Sequence, residues 1–231
     1  MNDVGRYDAL LELARQRRTI RRFRPDPVPA DYITKIVDVA RWAPSGFHTQ
    51  PWEFVVITEK EFKEKVVAVL QQHAPPIRNP NPESIETEGS RFDAAPVFII
   101  LLGDWRAGIG LPEAAQSSDA RVDNTFHTGL ACAFLSMQLA ATSLGLASQW
   151  YSAVSGERVQ KALKSLIGIP EGLRIFDMMV LGYGAEEPIR KDVRGLDEMI
   201  HYNACGKEDF RTDEEVVAYA KKTKAWCLAA H

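Results

Sequence analysis

Apolar residues fall at helical spacing in some stretches of this chain and run together in others. That contrast sets out its elements. Tyr7, Leu10, Leu11 and Ala14 predict a helix over residues 6–17. Ile33, Ile36, Val37 and Ala40 predict a second over 30–42, with Pro29 just ahead, where a missing N–H costs the first turn nothing. Phe54-Val55-Val56-Ile57 is continuously apolar and predicts a strand from Glu53 to Thr58, and a helix over Glu59–Gln72 follows. Pro96–Leu102 is apolar throughout, as a strand buried on both faces would be. Asp119–Leu144 has the pattern of a long helix rich in Ala, Ser, Gly and Thr. It is small or apolar almost all round, which predicts burial on more than one side. Ser155–Ile167 predicts a further helix with Ser155 as its N-cap, and Arg174–Leu181 a third strand. Thr212 stands three residues before Glu215, the spacing of a capping box. A helix should run from there to about Trp226, and its Val216, Val217, Tyr219 and Ala220 need a surface to bury against.

Few strands and much helix give an α+β class. Residues 74–90, with Pro75, Pro76, Pro80, Pro82 and Gly89, predict a loop or lid, and 104–117 is also irregular. The 231 residues suffice for one large domain or two small ones. The net charge of −3 implies no general affinity for nucleic acid or an anionic membrane. Val97–Leu102 is the longest clean apolar run, far short of the ~20 residues that cross a bilayer. Residues 1–30 carry no secretory pattern, and Cys132, Cys205 and Cys227 form no C-x-x-C. A cytoplasmic location is expected.

Two segments carry candidate chemistry. Arg15, Arg17, Arg18, Arg21, Arg22 and Arg24 crowd one short window. Such a run is either a solvated basic face or a phosphate site, because guanidinium groups pair bidentately with phosphate oxygens. Ala43-Pro44-Ser45-Gly46-Phe47-His48-Thr49-Gln50-Pro51-Trp52 is an irregular stretch between a helix and a strand. Turn chemistry explains its Pro, Ser and Gly. It does not explain amide, imidazole and hydroxyl groups gathered beside a tryptophan. The five histidines show no metal-ligand spacing, so no metal is expected. There is no G-x-G-x-x-G fingerprint and no G-x-S-x-G elbow.

Arg17-Arg18-Thr19-Ile20-Arg21 followed by the Ala43–Trp52 segment resembles the nitroreductase-like flavoprotein family. That family carries R-R-[ST]-x-R, then A-P-S-x-x-[NH]-x-Q-P-W, then a strand. The form Pro-Ser-Gly-x-His-Thr-x-Pro-Trp resembles in particular the branch containing the iodotyrosine deiodinases. Leu144–Trp150 looks like the family's segment after its long central helix, with Tyr151, Ser152 and Ala153 where the family's backbone nears the flavin. Leu181-Gly182-Tyr183-Gly184 and the later Lys191 and Arg194 look like its last strand and returning phosphate contact, Arg194 being the better match.

The resemblance implies an α+β nitroreductase fold: a central mixed sheet flanked by helices in a domain-swapped homodimer. It implies a flavin-binding domain over 1–202 and a C-terminal helical arm over 203–231 packing on the dimer. It implies FMN as cofactor, bound by Arg17, Arg18, Thr19, Arg21, Pro44, Ser45, Gly46, His48, Gln50, Trp150, Tyr151, Ser152, Lys191 and Arg194. NADH or NADPH would be the donor and a small electron-poor molecule, such as a nitroaromatic or quinone, the acceptor. No catalytic side chain is implied, since the organic chemistry belongs to the cofactor. Deiodinases of this family grip an amino acid with a lid Glu, Tyr and Lys, and residues 74–93 hold neither Tyr nor Lys. Two alternatives stay open: a flavin-dependent reductive dehalogenase or substrate dehydrogenase, and a non-catalytic FMN-storing or FMN-sensing protein.

Overall fold

A computed structural model of the chain describes residues 3–73, 94–113, 118–188 and 193–229. The proline-rich loop 74–90 and Lys191 lie outside them. The described residues form two compact units, one running up to Glu187 and the other beginning at Pro188.

The first unit is built in the order α1 (Asp3–Gln16), α2 (Ala30–Ala40), β1 (Trp52–Ile57), α3 (Lys60–His73), β2 (Val97–Asp104), α4 (Asp119–Ser143), β3 (Ala147–Tyr151), α5 (Glu157–Ile167) and β4 (Leu173–Gly182). The four strands lie in the order β1-β2-β4-β3. β2 is central, and its unbroken apolar run is explained by helices on both faces. Phe98, Ile100 and Leu102 join a core that includes Val66 and Leu70 of α3 and Leu163 of α5. Val97, Ile99 and Leu101 join one that includes Ile36 of α2 and Leu130, Phe134 and Met137 of α4. Period-two alternation sends successive residues to opposite faces, so a strand covered twice must be apolar at every position.

Every pairing between these strands is antiparallel. The parallel component of the expected mixed sheet is confined, among the described residues, to the isolated bridge between Thr19 and Ser148. Ser155 does not cap α5. Gly156 takes that position, while Ser155 sits in the preceding 3-10 turn and its hydroxyl donates to the Ser152 carbonyl at 2.8 Å. A serine hydroxyl satisfied by its own turn is not available to the next helix.

The second unit contains α6 (Asp213–Ala229). Its capping box forms as the sequence predicts. Glu215 N–H donates to Thr212 Oγ1 at 3.3 Å and Thr212 N–H to Glu215 Oε2 at 2.8 Å. No helix among the described residues is long and apolar enough to cross a membrane.

Candidate active site

The arginine segment leaves α1 and lies against the sheet. Thr19 bridges Ser148 at the start of β3, Ile20 N–H donating to the Ser148 carbonyl at 3.1 Å. Phe23 bridges Gly184, and Arg24 N–H donates to the Tyr183 carbonyl at 2.9 Å. Glu186 fixes the middle, accepting from the backbone N–H of Arg21 at 3.0 Å and of Arg22 at 3.3 Å. Ile20 and Phe23 fill the core between these anchors. The side chains of Arg17 and Arg18 therefore project from a fixed backbone. Burial, and then the like charge of Arg18, push the Arg17 guanidinium below its ordinary range. Among the described residues no carboxylate pairs with Arg17 or Arg18, whereas Arg22 and Arg24 lie within ion-pair distance of Glu186 and Asp26. Two neighbouring cations, one half-buried, without a counterion form a donor set suited to an external anion.

The Ala43–Trp52 segment is held in an unusual backbone. Phe47, His48 and Gln50 have φ of 53°, 57° and 45°. Left-handed conformations at non-glycine residues cost on the order of 1–3 kcal/mol each and persist only when their surroundings enforce them. Here Gln50 N–H donates to Ser45 Oγ at 3.0 Å, His48 N–H to the Ser45 carbonyl at 3.0 Å, and Thr49 Oγ1 to the Gly46 carbonyl at 2.9 Å. Buried Pro51 and Trp52 anchor the exit. His48 Nε2 and Gln50 Nε2 are 3.1 Å apart on the exposed side, so the amide donates and the imidazole accepts.

Helix α4 is the spine of the site. A Cβ on Gly46 would collide with the Thr125 methyl, and one on Gly129 would meet the Pro44 carbonyl and Ser45 at 3.4 Å. The loop thus seats on two residues one helical turn apart. Farther along, Phe134 stacks on Trp150 with ring centroids 4.1 Å apart. Trp150 and half-buried Tyr151 end β3, and Ser152 opens the exposed turn after it. Burial pushes the Tyr151 phenol up, keeping it neutral. So α4 and β3 join the loop, the arginine segment and Trp150–Ser152 within one unit. Arg194 lies in the second unit, where its Nη2 donates to the Glu198 carbonyl at 2.8 Å and its Nε to Glu198 Oε2 at 3.2 Å.

Asp177 belongs to no motif in the sequence, yet it is part of this site. The register of β2 against β4 shifts here, Leu101 facing Asp177 and Leu102 facing Ile175. The bulge turns Asp177 towards the α4 side, where Trp150 Nε1–H donates to its Oδ2 at 2.6 Å. Asp177 is 7% exposed, and its Oδ1 has no hydrogen-bond partner among the described residues. Burial pushes this carboxyl from 3.8 to about 6, against the opposing pull of the Trp150 N–H and of His127. An aspartate inside the apolar run Ile175–Leu181 was the available signal.

The unfolded chain gives up this proton near pH 4 and the folded chain near pH 6. Between the two only the folded state holds it, so stability falls as pH rises through that window and stays lower above it. Relative to Asp177→Asn, wild-type stability should fall by ~1–2 kcal/mol between pH 4 and pH 7. Urea midpoints across that range check this, and parallel curves for the two proteins would contradict it.

The family model described as Nitroreductase family matches residues 14–183. The chain belongs to the nitroreductase family. A relative from Methanothermobacter thermautotrophicus, provisionally named an NADH dehydrogenase/NAD(P)H nitroreductase, is 30% identical over 190 residues, covering 82% of this chain and 84% of the relative. The iodotyrosine deiodinase of Haliscomenobacter hydrossis is 30% identical over 193 residues, covering 79% and 82%. Among solved structures, the NADPH:FMN oxidoreductase of Vibrio harveyi complexed with NAD+ superposes with a TM-score of 0.71 at 17% identity, covering 94% of this chain and 86% of that one. That likeness shows the fold, an α+β nitroreductase fold.

Proposed function

We propose that the chain is an FMN-dependent oxidoreductase that takes electrons from NADH or NADPH and delivers them to small electron-poor molecules such as nitroaromatics or quinones. The observation that carries this is the Arg17–Arg18 pair: half-buried, fixed by its backbone, and without a carboxylate partner among the described residues. A phosphate monoester meets that need. FMN, when bound, supplies hydride acceptance and donation at its ring. Arg17 and Arg18 would hold the phosphate, supported by Arg21. Thr19, Pro44, Ser45, Gly46, His48 and Gln50 would offer hydrogen bonds and a rigid wall to the flavin ring, and Trp150, Tyr151 and Ser152 would add to it from the end of β3. Hydride transfer needs no side-chain acid or base, and none is assigned.

The working form is a homodimer in the cytoplasm, with residues 1–202 as the flavin domain and 203–231 as an arm on the partner. Val4, Tyr7 and Leu10 lie exposed along one face of α1, with Trp42 78% and Phe47 61% exposed elsewhere on the same unit. A dimer interface would cover some of these side chains. The test is direct. Purified protein should release FMN on heating, be bleached anaerobically by NADH or NADPH, and scatter light as a dimer at micromolar concentration. Release of FAD, or a colourless protein that ignores added FMN, would sink the reading.

A reductive dehalogenase remains the second reading, supported by the likeness to the Haliscomenobacter deiodinase across most of both chains. Including iodotyrosine and simple iodophenols in the acceptor panel separates it from the first.

A further inference from the structure

Asp177 is an expensive residue to keep. It is buried, one of its oxygens has no donor among the described residues, and its charge lowers stability at neutral pH. Its carboxyl accepts from Trp150, whose ring stacks on Phe134 and lies 6.3 Å from Phe176. Trp150 and Tyr151 are the last residues of β3, and Ser152 opens the turn that follows.

We propose that Asp177 is a positioning residue for the cofactor site, its carboxylate form holding the Trp150 indole and with it the strand end Trp150–Ser152. The inference rests on the flavin-site reading above. The physical basis is that a hydrogen bond to an ionised acceptor is roughly twice as strong as one to a neutral acceptor. With the carboxyl protonated the indole N–H keeps a partner, but a weaker one, and the strand end is held less firmly.

The groups that surround the carboxyl bear on its charge. Helix α4 presents His127, whose Nδ1 is 2.7 Å from the Asp123 carbonyl, and Asp123 itself, which accepts from Trp105 Nε1 at 2.5 Å. On its own strand, Arg174 pairs with Asp123 at 3.2 Å. β2 presents apolar Leu101, and Tyr151 of β3 packs into the core on the other face of the sheet. His127 favours the carboxylate, and burial opposes it.

The experiment measures FMN affinity by fluorescence quenching from pH 5 to pH 8 in wild type and in Asp177→Asn. The amide mimics the neutral acid, so the two proteins should bind FMN alike at pH 5. Wild type should become tighter than the variant by about fivefold at pH 7.5, the step a charge-assisted bond implies. Titration of the FMN phosphate affects both proteins equally and cancels in their ratio. The sign is diagnostic, because a carboxylate acting only through its field would repel an anionic cofactor and weaken wild type as pH rises. Trp150→Phe keeps the stack and removes the donor. Adding Asp177→Asn to it should change nothing further.

A wild-type-to-variant ratio that stays constant with pH, or that moves in the opposite sense, overturns the proposal. So does an Asp177→Asn effect that persists in the Trp150→Phe background. If wild type does not bind FMN at all, the flavin-site reading has failed instead, and the two outcomes are distinct. The indole N–H resonance of Trp150 supplies an independent readout. It should titrate between pH 5 and pH 7 in wild type and stay fixed in Asp177→Asn.

Discussion

Replacing Arg17 and Arg18 together by alanine should strip the protein of its flavin. Each charge-assisted bond to a phosphate contributes roughly 1.5–3 kcal/mol, so a single replacement should weaken FMN binding by about tenfold or more. The double replacement should weaken it by at least about a hundredfold, since 1.4 kcal/mol is a factor of ten. Burial and mutual repulsion already work against the Arg17 charge in the absence of an anion. Removing the pair should therefore leave the melting temperature of flavin-free protein unchanged or raise it. That combination, lost affinity with retained stability, separates a binding role from a structural one. Arg18→Lys keeps the charge but loses the planar fork, and should fall between wild type and alanine. Titration of flavin-free protein with FMN at fixed ionic strength reads all four variants. Unchanged affinity in the double variant would return the segment to a solvated basic face.

Much of this architecture can be read from the chain, for identifiable reasons. β2 was legible because a strand covered on both faces has no polar position to confuse it. The start of α6 was legible because a capping box is a local interaction, complete within Thr212–Glu215. β3 is not legible as a strand, because Ser148 and Gln149 are polar yet buried. Their polarity is met by tertiary partners such as Gln138, whose Nε2 lies 3.4 Å from Ser148 Oγ, and no local pattern reports those. The cap at Ser155 failed for a similar reason, since the hydroxyl found a nearer carbonyl in its own turn. In the loop, residue types showed that polar groups gather beside Trp52, but not that Phe47, His48 and Gln50 adopt left-handed backbones. Glycine is the usual marker of positive φ, and here Gly46 serves a different purpose, close approach to α4. The role of Asp177 depends on a bulge that only the paired strands reveal.

That close approach yields the second large effect. Gly46→Ala should cost the protein most of its FMN affinity while leaving the fold intact. The added Cβ has no room, because the Thr125 methyl occupies the space it would take. Thr125 cannot easily turn away, since its hydroxyl donates to the Arg121 carbonyl at 2.9 Å and fixes the rotamer. The loop is the softer partner and should lift off α4, carrying Ser45, His48 and Gln50 with it. Overpacking of this kind costs typically ~1–3 kcal/mol, and the strained backbones have little margin to absorb it. A fall in affinity of about tenfold is expected. Thr125→Ser deletes the obstructing methyl and keeps the hydroxyl, so it should be close to neutral alone and should restore binding in the Gly46→Ala background. FMN titrations of the two single variants and the double variant complete the cycle. Wild-type affinity in Gly46→Ala would mean that contact with α4 does not shape the loop. Failure of Thr125→Ser to rescue would place the obstruction elsewhere.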